Sequence, residues 1–119
     1  MAKTDRRSVC PVACTLDLLG DRWTLLVIRD LFAGKSHYHE FSASPERIAT
    51  NILAERLKRL VQSGLVEARP SAERAGANSY QLSASGRALW PVLVAIRDFG
   101  LEHIAGTRVH IHPKPDPSR

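Results

Sequence analysis

Residues 48–66, I-A-T-N-I-L-A-E-R-L-K-R-L-V-Q-S-G-L-V, constrain this chain more than any other stretch. Leu53, Leu57, Leu60 and Val61 recur at i, i+4, i+7 and i+8, one apolar stripe on a helix that must be buried against something. The other side carries Thr50, Asn51, Ala54, Glu55, Lys58 and Arg59, short residues first and long cations after them. Gly64 predicts the stop, because glycine accepts the left-handed backbone that ends helices. Leu65 and Val66 then restart the chain as a strand. A helix with one apolar and one polar-basic face, leading into a hairpin, suits the second helix of a winged helix-turn-helix. Its exposed face would lie in a DNA major groove. A solvated surface helix has the same periodicity, so the neighbouring segments must decide.

Upstream, Cys10-Pro11 predicts a helix start with Cys10 as N-cap, since proline is favoured where its missing N–H would be unpaired anyway. That helix runs through Leu16 and Leu19 to a break at Gly20-Asp21, which carries its own cap. A second helix is expected from about 22 to 33, burying Trp23, Leu26, Val27 and Leu31 and ending at Gly34. Ser36, His37 and Tyr38 form a short extended link. Residues 38–41 make a brief helix pinned to the core by Tyr38 and Phe41, and Ser44-Pro45-Glu46 is the following turn. Helix, turn, longer helix is the helix-turn-helix order.

Downstream, strands are expected at about 65–69 and 78–83, joined by the polar loop P-S-A-E-R-A-G-A. In this wing Arg69 and Arg74 are placed to meet a phosphate or a minor groove. Ser83 caps a last helix from about 84 to 104, with Pro91 bending it locally. Leu89, Val92, Leu93, Ile96 and Phe99 line one side, and Trp90, Val94 and Leu101 much of the other. Such a helix needs burial on more than one side, and a second subunit is the simplest cover. The expected two-fold interface uses Val12 and Leu16 of the first helix with Leu89, Trp90, Leu93, Ile96 and Phe99 of the last. The reading is a mainly α, homodimeric winged helix-turn-helix over residues 1–109, with 110–119 a flexible tail.

Composition agrees. The 119 residues suit one domain, and 17 Lys plus Arg against 12 Asp plus Glu give a net charge of +5. That balance favours an anionic partner. No apolar run approaches the roughly 18 residues of a membrane span. The charged N-terminus lacks the apolar segment of a secretory signal. The two cysteines, Cys10 and Cys14, make no disulfide framework, so a reducing cytoplasm is expected.

In order and spacing, several pieces resemble the HxlR family of bacterial transcriptional regulators, relatives of the MarR winged-helix group. They are Cys10-Pro11-Val12, the run D-L-L-G-D-R-W-T-L-L-V-I-R-D-L over 17–31, residues 48–66, Tyr80-x-Leu82-Ser83-x-x-Gly86, and Leu89-x-Pro91-Val92-Leu93. The resemblance implies a homodimeric DNA-binding regulator whose terminal helices form the dimer. Ala49 stands where the family pattern usually has a serine N-cap, so Thr50 is the expected substitute cap. The wing loop lacks the prolines and adjacent arginine usual before the second strand, with Arg74 the nearest basic substitute.

Candidate contacts follow from residue chemistry. Thr50, Asn51 and Glu55 are expected at base edges, since Asn pairs bidentately with adenine and Glu accepts from cytosine. Arg56, Lys58 and Arg59 are expected at phosphates or guanine, and Lys35, Ser36 and His37 at backbone phosphates. Cys10, at a helix N-terminus near Arg6 and Arg7, is where the thiolate is favoured. In redox-responsive members of the family that Cys10 resembles, a cysteine at this position senses oxidants or electrophiles, so an oxidant or small-molecule effector is the expected input. An intrachain bond to Cys14 across one helical turn is geometrically poor. No metal and no cofactor are expected, because Cys10, Cys14, His37, His39, His110 and His112 lack paired zinc-ligand spacing. Phosphate-loop and nucleophile-elbow motifs are absent, which argues against an enzyme. The alternative is a winged helix that binds proteins and has only non-specific DNA affinity.

Overall fold

The computed structural model describes residues 6–111. The expected mainly helical winged helix-turn-helix fold, with its two-stranded hairpin, is observed. Helices α1 (Pro11–Leu19), α2 (Thr24–Phe32), α3 (Tyr38–Ser42) and α4 (Thr50–Gln62) lead into strands β1 (Val66–Pro70) and β2 (Asn78–Leu82), then α5 (Ala84–Arg87) and α6 (Trp90–His103). The core is where α2, α3, α4 and the hairpin meet. Ile28, Leu53 and Leu57 are fully buried there, with Phe41, Val66, Val27 and Leu60 around them. Val61, expected on the α4 stripe, is exposed at its edge.

Asp21 determines where α2 begins. Its carboxylate accepts from the N–H groups of Trp23 (2.8 Å) and Thr24 (3.0 Å), so the helix starts at Thr24 and not at Arg22. The buried face of α2 is formed by Val27, Ile28, Leu31 and Phe32, while Trp23 and Leu26 are half-buried. In α3, Phe41 is the anchor, while the exposed Tyr38 meets Tyr80 of the wing at a tilt of 45°, ring centroids 6.0 Å apart. Glu40 closes the N-terminus of α3 by accepting from the backbone N–H groups of Ser36 (2.9 Å) and His37 (3.1 Å).

Gly64, at φ +81°, ends α4 as expected. The strands pair antiparallel with Val66 opposite Leu82 and Pro70 opposite Asn78. The N–H of Tyr80 donates to the carbonyl of Ser36 at 2.8 Å, tying the wing to the link before α3.

The single C-terminal helix expected from the sequence is instead two. Ser83 caps α5 by accepting from the Gly86 N–H (3.1 Å), but α5 stops after one turn. Pro91 lies in the first turn of α6, where its missing N–H costs nothing; inside a continuous helix it would clash with the carbonyl of Arg87. Gly86 is required by close approach, since a Cβ there would lie 2.1 Å from the Leu65 carbonyl oxygen. Most of the expected tail, 112–119, lies outside the described residues, as do residues 1–5 of the polar N-terminus. His110 and Ile111 are described and line a cleft beside α2 and α6.

Candidate nucleic-acid interface

Helix α4 separates its chemistry cleanly. Leu53, Leu57 and Leu60 are buried, whereas Thr50, Asn51, Glu55 and Lys58 are exposed. Asn51, Glu55 and Lys58 follow at i, i+4 and i+7, one outward face. Ala49 occupies the N-cap position and offers no side-chain acceptor. Thr50 is the first helical residue, so the expectation that it caps α4 is not met: its backbone is already helical.

Arg56 and Arg59, unlike Lys58, are engaged within the protein. Arg56 turns to α2 and donates from Nε to Asp21 Oδ1 at 3.0 Å, with a second ion pair to Glu55. Arg59 reaches the Leu18 carbonyl at 3.4 Å and lies 3.9 Å from Asp21. Asp21 is the reason. Burial pushes its carboxyl up, but hydrogen bonds from Thr24, the Trp23 N–H and Arg56 outweigh this and hold it well below the usual carboxylate range. These arginines fasten the outward-facing helix to the start of α2.

Lys35, Ser36 and His37 are likewise engaged within the protein. Lys35 Nζ donates to Ser44 Oγ (2.5 Å), which itself donates to the buried carboxylate of Asp30 (2.5 Å). Ser36 bonds Glu40 and the His37 ring. His37 Nε2 meets Ser71 Oγ at 2.8 Å, joining α3 to the wing loop. All three side chains are half-buried, where a donor without a partner is costly, and these bonds supply the partners. In the wing, Arg74 is exposed, and so is Arg69, which pairs with Glu67.

Sequence reasoning missed two features. Arg47 is exposed at φ 56°, immediately before α4; a cation just ahead of the helix start was its only signal. The other is the network behind the turn. Arg29 holds Glu46 by two bonds, 2.9 and 2.8 Å, and also donates to Asp30. The adjacent Arg29-Asp30 pair inside an otherwise apolar helix was a legible warning of buried ionic partners.

Cys10 stands at the N-cap of α1, exposed, as the sequence predicts. Arg7, expected near it, bonds Asp17 through its guanidinium at 2.7 Å. Cys14 is half-buried and donates its thiol to the Ser8 carbonyl (3.3 Å), and both cysteines are free thiols. Of the expected dimer residues, Val12, Leu16, Ile96 and Phe99 are exposed. Leu89, Trp90 and Leu93, expected in the same interface, are half-buried and pack against the core of their own subunit, Trp90 with its ring 5.2 Å from Phe32. Among the described residues no cluster of His, Cys, Asp or Glu is arranged to hold a metal, and no helix is long and apolar enough to cross a membrane.

This geometry is similar to that of known regulators. A model of the HxlR-like helix-turn-helix family matches residues 18–107. The uncharacterized HTH-type transcriptional regulator sll1512 of Synechocystis sp. is 32% identical over 92 residues, 77% of this chain and 68% of its own. The crystal structure of PA1607, described as a transcription factor, superposes with a TM-score of 0.77 at 40% identity, covering 92% of this chain and 82% of that one. The HTH-type transcriptional regulator YodB of Bacillus subtilis is 35% identical over 86 residues, 71% of this chain and 77% of its own. Its reduced form superposes with a TM-score of 0.67 over 85% of this chain and 100% of that one, at 29% identity. YodB has also been solved diamide-treated and quinone-bound.

Proposed function

The chain belongs to the HxlR-like helix-turn-helix family, and from that premise we propose a homodimeric, sequence-specific regulator whose two α4 helices read major-groove half-sites about 34 Å apart. Membership makes it an HTH-type transcriptional regulator with DNA as partner, not an enzyme. The observation that carries the finer reading is the outward face of α4. Thr50 and Asn51 sit in its first turn, Glu55 and Lys58 along it, and the helix is clamped from behind by Asp21, Arg56 and Arg59. A rigid mount suits base readout, because a bidentate contact tolerates little angular error. Arg74, Arg47 and Lys58 supply phosphate contacts that position the protein without specifying sequence.

Dimerisation is supported by α6. Its 14 residues include none that is buried; Ile96, Phe99 and Leu101 are exposed along it, and Ile104 is exposed at its C-cap. Val12 and Leu16 of α1 are exposed as well. Cys10 begins the same helix beside exposed Val9 and Val12, so a group added to its thiol by an oxidant or electrophile would alter the packing that spaces the two reading heads. The diamide-treated and quinone-bound forms of YodB support this choice of input.

The test is an anisotropy titration against DNA upstream of the protein's own gene, at two salt concentrations with competitor DNA. Asn51→Ala should weaken operator binding by about 1–3 kcal/mol and leave non-specific affinity unchanged. Binding no better than to random DNA would instead favour a protein-interaction module. Oxidant sensitivity should disappear in Cys10→Ser; if it persists, Cys10 is not the sensor.

A further inference from the structure

A cleft of about 300 Å³ lies between α2, α6 and the returning segment 108–111. Its walls are apolar: Leu25 and Leu26 from α2, and Trp90, Leu93 and Val94 from α6. Its charged lining is mostly cationic, with Arg29, Arg97 and Arg108 against one carboxylate, Glu46. Arg97 pairs with Asp98 at 3.0 Å, and Arg29 is shared between Glu46 and Asp30. Arg108 makes no hydrogen bond or ion pair among the described residues. An uncompensated guanidinium beside apolar walls, in a cleft at the lower end of the volumes that small ligands occupy, has a specific chemical complement.

We infer that this cleft binds a small organic anion with an aromatic or aliphatic body, its carboxylate held by Arg108 and its body packed on Trp90, Leu93 and Leu25. The inference rests on the regulator reading, to which it adds a second input distinct from Cys10. Its coupling to DNA runs through Glu46. That residue belongs to the turn before α4, next to Arg47 with its left-handed backbone, and is held by Arg29 at 2.8 and 2.9 Å. An anion seated on Arg108 repels the Glu46 carboxylate that lines the same cleft, in competition with the hold of Arg29 on Glu46. The turn that sets the entry of α4 then loses its tether. A ligand shifts such an equilibrium only by its differential affinity for the two arrangements, and this competition supplies that difference.

Calorimetry of the full-length protein without DNA tests the site, using 1-naphthoate and its neutral analogue 1-naphthylmethanol. Naphthoate should bind about tenfold more tightly than the alcohol. Arg108→Gln should erase that preference, and Val94→Trp, which fills the cleft, should abolish binding of both. Equal binding of the two compounds, no binding of naphthoate, or an unchanged preference in Arg108→Gln overturns the site. Coupling is read separately by anisotropy. Saturating naphthoate should change operator affinity by about threefold or more in the native protein and not in Arg108→Gln. An operator affinity that does not move while naphthoate binds overturns the route through Glu46. Naphthoate binding with its predicted charge preference, in a protein that recognises no operator, sustains the site and sinks the regulator reading instead.

Discussion

Helices α4 and α6 are nearly the same length, 13 and 14 residues, and solve opposite problems. Helix α4 buries Leu53, Leu57 and Leu60 in its own subunit and turns short polar residues outward. Helix α6 buries nothing completely and turns Ile96, Phe99 and Leu101 outward. The first is fixed by its own core and displays hydrogen-bonding groups, which suits a ligand read by its edges. The second displays apolar area, whose removal from water is worth about 25 cal/mol per Å², which suits a second copy of the same surface.

The largest effect expected from this contrast is on the α4 side. Leu57→Ala should lower stability by about 2–5 kcal/mol in urea unfolding, because a fully buried leucine leaves a cavity. Phe99→Ala should change unfolding of the dilute subunit by no more than about 0.5 kcal/mol. Equal losses at the two positions would erase the distinction. Next, Ile96→Asp should convert dimer to monomer in sedimentation and reduce operator affinity by about tenfold or more, since a carboxylate is costly to bury unpaired. A persistent dimer would remove α6 from the interface.

A smaller effect separates clamp from contact on α4 itself. Arg56→Met should cost about 1–2 kcal/mol of stability while leaving the salt dependence of DNA binding unchanged. A log–log slope shallower by about 0.9 would return Arg56 to a phosphate. The same clamp has a pH signature. Asp21 has a folded carboxyl held below its ordinary value, so its contribution is complete above about pH 4 and lost as pH falls further. The stability gap between the native protein and Asp21→Asn should therefore narrow in acid. The smallest change is a gain: Ala49→Ser should stabilise by about 0.5–1 kcal/mol, measured by urea unfolding, by supplying the acceptor that the N-cap of α4 lacks.

Much of this was legible in one dimension. The leucine period of α4, the stop at Gly64, the hairpin after it and the start of α1 at Pro11 all depend on local backbone preference and on which residues avoid water. Those forces act over a few residues and leave a periodic trace in the sequence. The exposed positions Thr50, Asn51, Glu55 and Lys58 followed from the same period. The partner of each long charged side chain left no such trace. Arg56 and Lys58 are two residues apart on one helix, and no local rule separates the one that reaches Asp21, 35 residues away, from the one that faces solvent. Lys35, expected at a phosphate, bonds Ser44 beside Asp30, a partner that no local pattern announced. Pro91 signalled a bend, but the outcome was a new helix, with Leu89, Trp90 and Leu93 turned onto the core. Sequence alone thus determined the elements and the outward face of α4. The tertiary structure decided which cations are clamps, how the C-terminal helix divides, and that a cationic cleft lies behind the turn into α4. The physical reason is reach: periodicity records burial residue by residue, whereas a flexible guanidinium or ammonium several ångströms long takes whichever carboxylate the fold brings near.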